Sequence, residues 1–189
     1  MNNLKNIIKQ AIETINKEGV ILYPTDTIWG IGCDATNSKA INKIYSIKNR
    51  ETTKPLILLM HSTEMLSRYI KKIPLSAYEI IDKSTCPTTI IYENPINLPP
   101  ELTQINSIGI RIVKNNYLVN LLDTLNKPLT STSANISGTQ SPLTFNNIDN
   151  RIKEIVNYII PEYIMPHTTQ APSKIIKIKN DLTIELLRQ

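Results

Sequence analysis

Residues 108–138 read IGIRIVKNNYLVNLLDTLNKPLTSTSANISG. Ile108 to Val113 is a short run rich in β-branched side chains, the composition of a strand. From Tyr117 onward, Leu118, Leu121, Leu122 and Leu125 recur at three- and four-residue spacings, which predicts a helix over Tyr117 to Leu125 with these leucines inward. Leu129 to Thr132, after Pro128, predicts a second strand. That strand runs directly into hydroxyl and amide side chains from Ser131 to Asn135 and ends at Gly138. A strand, a helix and a strand that opens into a polar turn make the repeating unit of an α/β fold, in which ligands bind at strand ends.

Working outward, the same patterns continue. Leu4, Ile7, Ile8, Ala11, Ile12 and Ile15 mark one face of an amphipathic helix that Gly19 terminates. Val20 to Tyr23 predicts a strand, and Pro24 to Gly32 a loop at its end. Ser38 caps a helix whose inward stripe is Ile41, Ile44, Tyr45 and Ile47, and Lys48 to Lys54 closes it before Pro55 forces extended backbone. Leu56 to Met60 predicts a strand. A helix from Ser62 or Thr63 uses Met65, Leu66, Tyr69 and Ile70, and another after Pro74 turns Leu75, Tyr78 and Ile81 inward. Thr88 to Tyr92 is a strand. Beyond the polar turn come a helix over Ile148 to Val156 and strands near Tyr158 to Ile160, Ile175 to Ile178 and Leu182 to Leu187. The last two form a hairpin at Asn180-Asp181, so the expected fold class is α/β with a twisted mixed β-sheet and packed helices, one domain over residues 1–189.

The bulk chemistry narrows the function. An excess of 21 Lys and Arg over 16 Asp and Glu, net +5, favours an anionic ligand. It is too small to argue for nucleic acid alone. Cys33 and Cys86 stand far apart, which suggests neither a disulfide framework nor a zinc site. No apolar run approaches the ~20 residues of a bilayer span, and Met1 to Gln10 lacks an apolar leader, so a cytoplasmic enzyme with no membrane partner is expected. Neither G-x-x-x-x-G-K-[ST] nor G-x-G-x-x-G occurs. His61 and His167 have no partners for a Ser-His-Asp arrangement. A phosphate site must therefore rest on side-chain cations and polar turns.

Two stretches offer them. Lys48, Arg50 and Lys54 gather three cations at a helix end; Arg matches phosphate oxygens with a planar fork and Lys supplies a mobile point charge. Residues two apart do not share a helix face, so Lys48 and Arg50 act together only if the helix ends there. Taken alone, the cluster is better explained as a solvated helix end complementing the macrodipole. The second stretch, Ser131 to Asn135, presents neutral donors and acceptors, as does Thr25 to Gly32.

These segments, in this order, resemble the YrdC family, the threonylcarbamoyl-AMP synthases of tRNA modification. The resemblance rests on Tyr23-Pro-Thr-Asp-Thr-Ile-Trp-Gly-Ile-Gly32, Lys48-x-Arg50 with Lys54-Pro55-Leu56, Gly109-Ile-Arg-Ile112, Thr132-Ser-Ala-Asn-Ile-Ser-Gly138 with Ser141-Pro142, and Ala171-Pro-Ser173. It implies a YrdC-like fold around a positively charged cavity. It also implies that L-threonine, bicarbonate and ATP become threonylcarbamoyl-AMP and pyrophosphate, with Mg²⁺ accompanying ATP. Downstream tRNA threonylcarbamoyl-transferase proteins, with tRNA as a further partner, would then place the unit on position 37 of ANN-decoding tRNAs. By the same resemblance Lys48 and Arg50 are catalytic, and Arg50, Lys54, Asn135, Ser141 and Arg188 contact ATP. Thr27, Ser133 and Ser173 contact threonine, and Thr25, Arg111 and Ser131 stand close by. No resident metal ligand is implied. The chain ending near Arg188 matches the short form of the family. Trp29 stands where the family usually has Tyr, and Leu59 where many longer relatives have a histidine near threonine. The rival reading is a tRNA- or double-stranded-RNA-binding or ribosome-assembly module without synthase activity, which would bind RNA in a salt-dependent way.

Overall fold

The computed structural model describes residues 2–165, 168–179 and 183–189. Among these residues nine strands form one mixed sheet in the order β7-β1-β2-β6-β3-β5-β4-β8-β9. They are β1 (Ile21–Tyr23), β2 (Gly30–Gly32), β3 (Ile57–Met60), β4 (Thr88–Glu93), β5 (Ser107–Ile112), β6 (Leu129–Ser133), β7 (Tyr158–Ile159), β8 (Lys174–Ile178) and β9 (Ile184–Arg188). Three neighbouring pairs, β1–β7, β3–β5 and β4–β8, are parallel and the other five antiparallel, as the expected mixed sheet requires. β8 and β9 pair antiparallel; the turn expected at Asn180-Asp181 lies outside the described residues.

Among the described residues seven α-helices flank the sheet: α1 (Asn2–Asn16), α2 (Ser38–Lys48), α3 (Thr63–Ser67), α4 (Leu75–Lys83), α5 (Pro100–Thr103), α6 (Asn116–Leu125) and α7 (Asn150–Ile155). Strand alternation sorts the core into two clusters. Val20, Leu22, Leu58 and Met60 pack with Ile41 and Ile44 of α2, Leu66 of α3, Leu102 of α5 and Ile152 of α7. Ile21, Tyr23 and Leu59 pack on the other side with Ile7, Ala11 and Ile15 of α1 and Leu118, Leu121 and Leu122 of α6. With only two helices on this second face, part of it is left for polar residues.

Several local expectations change. Gly30–Gly32, read as loop, is a buried strand paired with β1 on one side and β6 on the other. Its small residues reflect crowding: a Cβ on Gly32 would fall 2.2 Å from the Thr130 carbonyl oxygen. The helix after it is capped by Asn37, whose side chain accepts from the Ala40 N–H, and Ser38 is its first residue. At the end of α1 it is Glu18 that takes the left-handed conformation (φ 59°), with Gly19 following against the Thr14 carbonyl. In α4 only Ala77 is buried; Leu75 and Tyr78, expected inward, face solvent, and Ile80 and Ile81 pack partly instead.

Candidate active site

Alternate residues of β3, β5 and β6 point to the same face. Ile57, Leu59, Arg111, Ser131 and Ser133 thus stand side by side, with Ile57 paired to Ser131 and Leu59 to Arg111. They form one wall of a cavity of about 190 Å³. Its other walls are the loop after β1, through Thr25, Thr27 and Trp29; the segment after α2, through Arg50 and Pro55; and the C-terminal part, through Pro172, Ser173 and Arg188. A larger cavity of about 420 Å³, between α4 and the sheet, is lined by Ile80, Ile81, Ile90, Ile110 and Ile112 and takes in none of the residues expected at a site.

The structure brings Thr25, Thr27, Arg50, Arg111, Ser131, Ser133, Ser141, Ser173 and Arg188 to the small cavity. Three guanidiniums and a set of hydroxyls face inward, and none of the lining residues is Asp or Glu. Lys48, Asn135 and Lys54 are not part of the lining. Lys54 is exposed and pairs with Glu51 at 3.4 Å. Asn135 spends its amide on the carbonyls of Ile136 (3.0 Å) and Thr139 (2.6 Å), bracing the turn.

Lys48 stands behind the cavity lining and not in it. Helix α2 does end at Lys48, with Asn49 left-handed (φ 48°), as joint use of Lys48 and Arg50 requires. The lysine nevertheless turns inward and is 1% exposed. Its Nζ donates to the carbonyl oxygen of Ser133, to that of Asn135 (2.6 Å) and to Asn135 Oδ1 (3.4 Å), while its own carbonyl accepts from the Ser137 N–H (2.8 Å). Burial, and after it the neighbouring Arg50 cation, push its pKa down to about 7. The Lys48 ammonium thus braces the turn that carries Ser133 and does not line the cavity.

Arg50 donates through Nε to the Lys54 carbonyl (3.2 Å) and through a terminal nitrogen to that of Pro55 (3.0 Å), which holds the loop and leaves its other N–H groups for the cavity. Partial burial lowers its pKa. Arg111 is 4% exposed, ion-pairs with Asp26 at 3.1 Å and donates to Thr27 Oγ1 at 3.3 Å. Its buried Nε has no partner among the described residues, a cost that a ligand acceptor would remove. Arg188 grips Ser173 through the carbonyl (2.9 Å) and the hydroxyl (3.2 Å), and partial burial followed by the charge of Arg111 lowers its pKa.

Sequence reasoning missed the residues behind the wall. Asp26 carries the one carboxylate that holds Arg111, and its carbonyl accepts from the Thr169 N–H at 3.0 Å, tying the C-terminal segment to the first loop. Thr89, wholly buried on β4, lies 2.8 Å from the Ser173 hydroxyl. A Thr on a buried strand face was the available signal. Trp29 does border the cavity, but its ring packs on Phe145 with centroids 5.2 Å apart.

Comparison with known proteins bears on this arrangement. Residues 13–189 match the Sua5/YciO/YrdC family model, described as telomere recombination. The chain is 37% identical over 183 residues to a Methanocaldococcus jannaschii protein provisionally assigned as a threonylcarbamoyl-AMP synthase, covering 94% of this chain and 85% of that one. It is 32% identical over 193 residues to the threonylcarbamoyl-AMP synthase of Escherichia coli K12, covering 100% and 98%. Among solved structures, Sua5 of P. abyssi complexed with L-threonine superposes with a TM-score of 0.86 at 25% identity over 96% of this chain, which spans 53% of that longer one. The matching family model over nearly the whole length and the full-length relatives place this chain in the Sua5/YciO/YrdC family.

Proposed function

We propose that this chain is a threonylcarbamoyl-AMP synthase, a nucleotidyltransferase that supplies the activated threonylcarbamoyl unit for position 37 of ANN-decoding tRNAs. The observation that carries the reading is the lining of the small cavity: three arginines, several hydroxyls and, among the described residues, no carboxylate. Such a lining suits reactants that each carry an anionic group, namely the threonine carboxylate, bicarbonate and the triphosphate. At about 190 Å³ the cavity is smaller than the ~300–1,000 Å³ usual for drug-sized ligands, which fits an amino acid with the nucleotide lying across its mouth.

In this reading bicarbonate takes up a proton and loses water to give carbon dioxide, and the neutral threonine amine adds to it, its proton passing to solvent, to give a carbamate. Its oxygen attacks the ATP α-phosphorus, and the bond to the bridging oxygen of the β-phosphate breaks as pyrophosphate leaves. The carbamate is already an anion, so no protein base is required, and catalysis consists of positioning and charge neutralisation. Arg50 and Ser141, with Lys54 outside them, face the phosphates. Arg111, Thr27 and Ser173 face threonine, with Arg188, Ser131 and Ser133 around them. Lys48 and Asn135 act by holding the turn that carries Ser133. Magnesium enters as the counter-ion of ATP: guanidiniums and hydroxyls are poor ligands for a hard divalent cation, and among the described residues no group of three His, Cys, Asp or Glu is placed to hold a metal. Transferase proteins that take the adenylate onward, and tRNA itself, are the partners this activity calls for.

The test is pyrophosphate release by the purified protein, with the adenylate identified by mass spectrometry. Release that depends on ATP, threonine and bicarbonate together is the expected result. Release at the same rate without threonine or bicarbonate rejects the reading, and tight, salt-dependent RNA binding with no turnover favours the binding module instead. Arg50→Ala is expected to cut turnover at least about tenfold with the fold intact.

A further inference from the structure

The hydroxyl groups at the two sides of the cavity can be assigned as donors or acceptors by counting protons, because each hydroxyl has one O–H and two lone pairs. Thr25 Oγ1 lies 2.7 Å from the Ile28 carbonyl oxygen, 2.7 Å from Thr27 Oγ1 and 3.0 Å from the Thr27 N–H. A carbonyl oxygen and an N–H each have only one role, so Thr25 donates its proton to Ile28 and accepts from the Thr27 N–H. Its remaining lone pair must accept from the Thr27 hydroxyl. Thr25 is then saturated. Thr27 has given away its proton and accepts from Arg111 at 3.3 Å, which leaves it one lone pair and no donor.

The opposite side has the reverse sense. Ser173 Oγ accepts from Arg188 at 3.2 Å and lies 2.8 Å from Thr89 Oγ1. Thr89 is 0% exposed, and Ser173 is its hydroxyl's only partner among the described residues. If Ser173 donated to Thr89, the Thr89 proton would be buried and unpaired, which is the costly arrangement. Thr89 therefore donates. Both lone pairs of Ser173 are filled, and its proton is free for the cavity.

We propose that Thr25 and Thr89 are positioning residues that make Thr27 an acceptor-only group and Ser173 a donor-only group, so that threonine binds with a donor, its ammonium or hydroxyl, at Thr27 and its carboxylate at Ser173. This rests on the synthase reading and adds the orientation of the substrate. A merely structural Thr89 would affect folding and all substrates alike; a positioning Thr89 acts only through Ser173 and only on threonine.

Threonine binding to the whole protein, measured calorimetrically without ATP or bicarbonate, tests the idea alongside pyrophosphate-release kinetics. T89V, which keeps shape and loses the hydroxyl, is expected to weaken threonine binding about fivefold with the KM for ATP within about twofold of wild type. T89S restores binding, and T89V adds nothing in an S173A background. T25V weakens binding, T25S restores it, and T25V adds nothing in a T27A background. L-Threoninamide, which replaces the carboxylate by a group carrying N–H, binds at least about tenfold more weakly than threonine. An unmoved T89V, an effect of T89V that persists in S173A, or equal binding of the amide overturns the inference while an active wild type keeps the synthase reading. A wild type with no threonine-dependent release overturns both.

Discussion

Two walls of the cavity present similar hydroxyls on very different foundations. The Ser131–Ser133 wall ends β6, inside the sheet between β2 and β3, and its turn is pinned by a lysine that is 1% exposed. The Ser173 wall precedes β8 near the sheet edge and is held by Arg188 on β9, the outermost strand, where Ile184, Leu186 and Leu187 are all at least half exposed. A wall built into the core ties geometry to global stability, whereas one hung on an edge strand can change its grip without unfolding the protein. Substitution should therefore separate the two: damage to the first wall registers in stability and turnover together, damage to the second mainly in substrate binding.

The largest effect is expected at Lys48. Lys48→Met keeps much of the aliphatic stem but strands the Ser133 and Asn135 carbonyls, and should cost about 2–4 kcal/mol with loss of most activity. Chemical denaturation with parallel turnover assays measures both. A stable but inactive variant would break the comparison, because it would make the ammonium a catalytic group and not a brace.

The pH dependence sharpens the same wall. The Lys48 pKa falls from 10.5 to about 7 on folding, so between these values the unfolded chain binds more protons and stability rises with pH. Cys33 runs the other way: burial pushes its thiol up from 9.0 to about 12, and its contribution is lost as pH rises through that interval. The clean window lies between pH 7 and 9. There the wild type should gain about 1–2 kcal/mol relative to Lys48→Met. Parallel stability curves for the two proteins would mean that the carbonyl oxygens keep the ammonium fully charged.

Arg188→Ala tests the edge wall. Ser173 would lose two of its three anchoring contacts and keep the one from Thr89. The KM for threonine should rise about five- to tenfold, with unfolding stability changed by less than about 1 kcal/mol. A loss of stability as large as that of Lys48→Met would show both walls to be equally built into the core.

The difference between the walls also explains what the sequence made legible. Helical and strand periodicities located the main elements because one buried face leaves a direct trace in spacing, as in α6. Gly30–Gly32 left no such trace, since it is a strand only because β1 and β6 bracket it. The outward turn of Leu75 and Tyr78 was equally hidden, because a helical stripe does not say whether a partner covers it. At the site, residue type indicated the hydroxyl and guanidinium lining. It did not indicate that Lys48 would bend back onto carbonyls 85 and 87 residues later in the chain, nor that Thr89 and Asp26 would stand behind Ser173 and Arg111. Those depend on pairings across the sheet that local pattern does not encode.

Lys54 is where the smallest effect is expected, and it separates charge from architecture. Its side chain is 56% exposed, that of its partner Glu51 is 70% exposed, and neither belongs to either wall. An exposed pair of this kind contributes about 0–1 kcal/mol, so Lys54→Ala should leave stability within about 0.5 kcal/mol of wild type. Its chain neighbour Pro55 borders the cavity, so a lysine there adds positive potential at the mouth where the triphosphate would lie. The KM for ATP should rise about two- to fivefold, and the rise should shrink as salt is added, while the KM for threonine stays put. A salt-independent loss would require a fixed contact instead of a field. Lys54 would then have to leave Glu51 and close onto the phosphates, and the wall between α2 and β3 would be completed only with substrate.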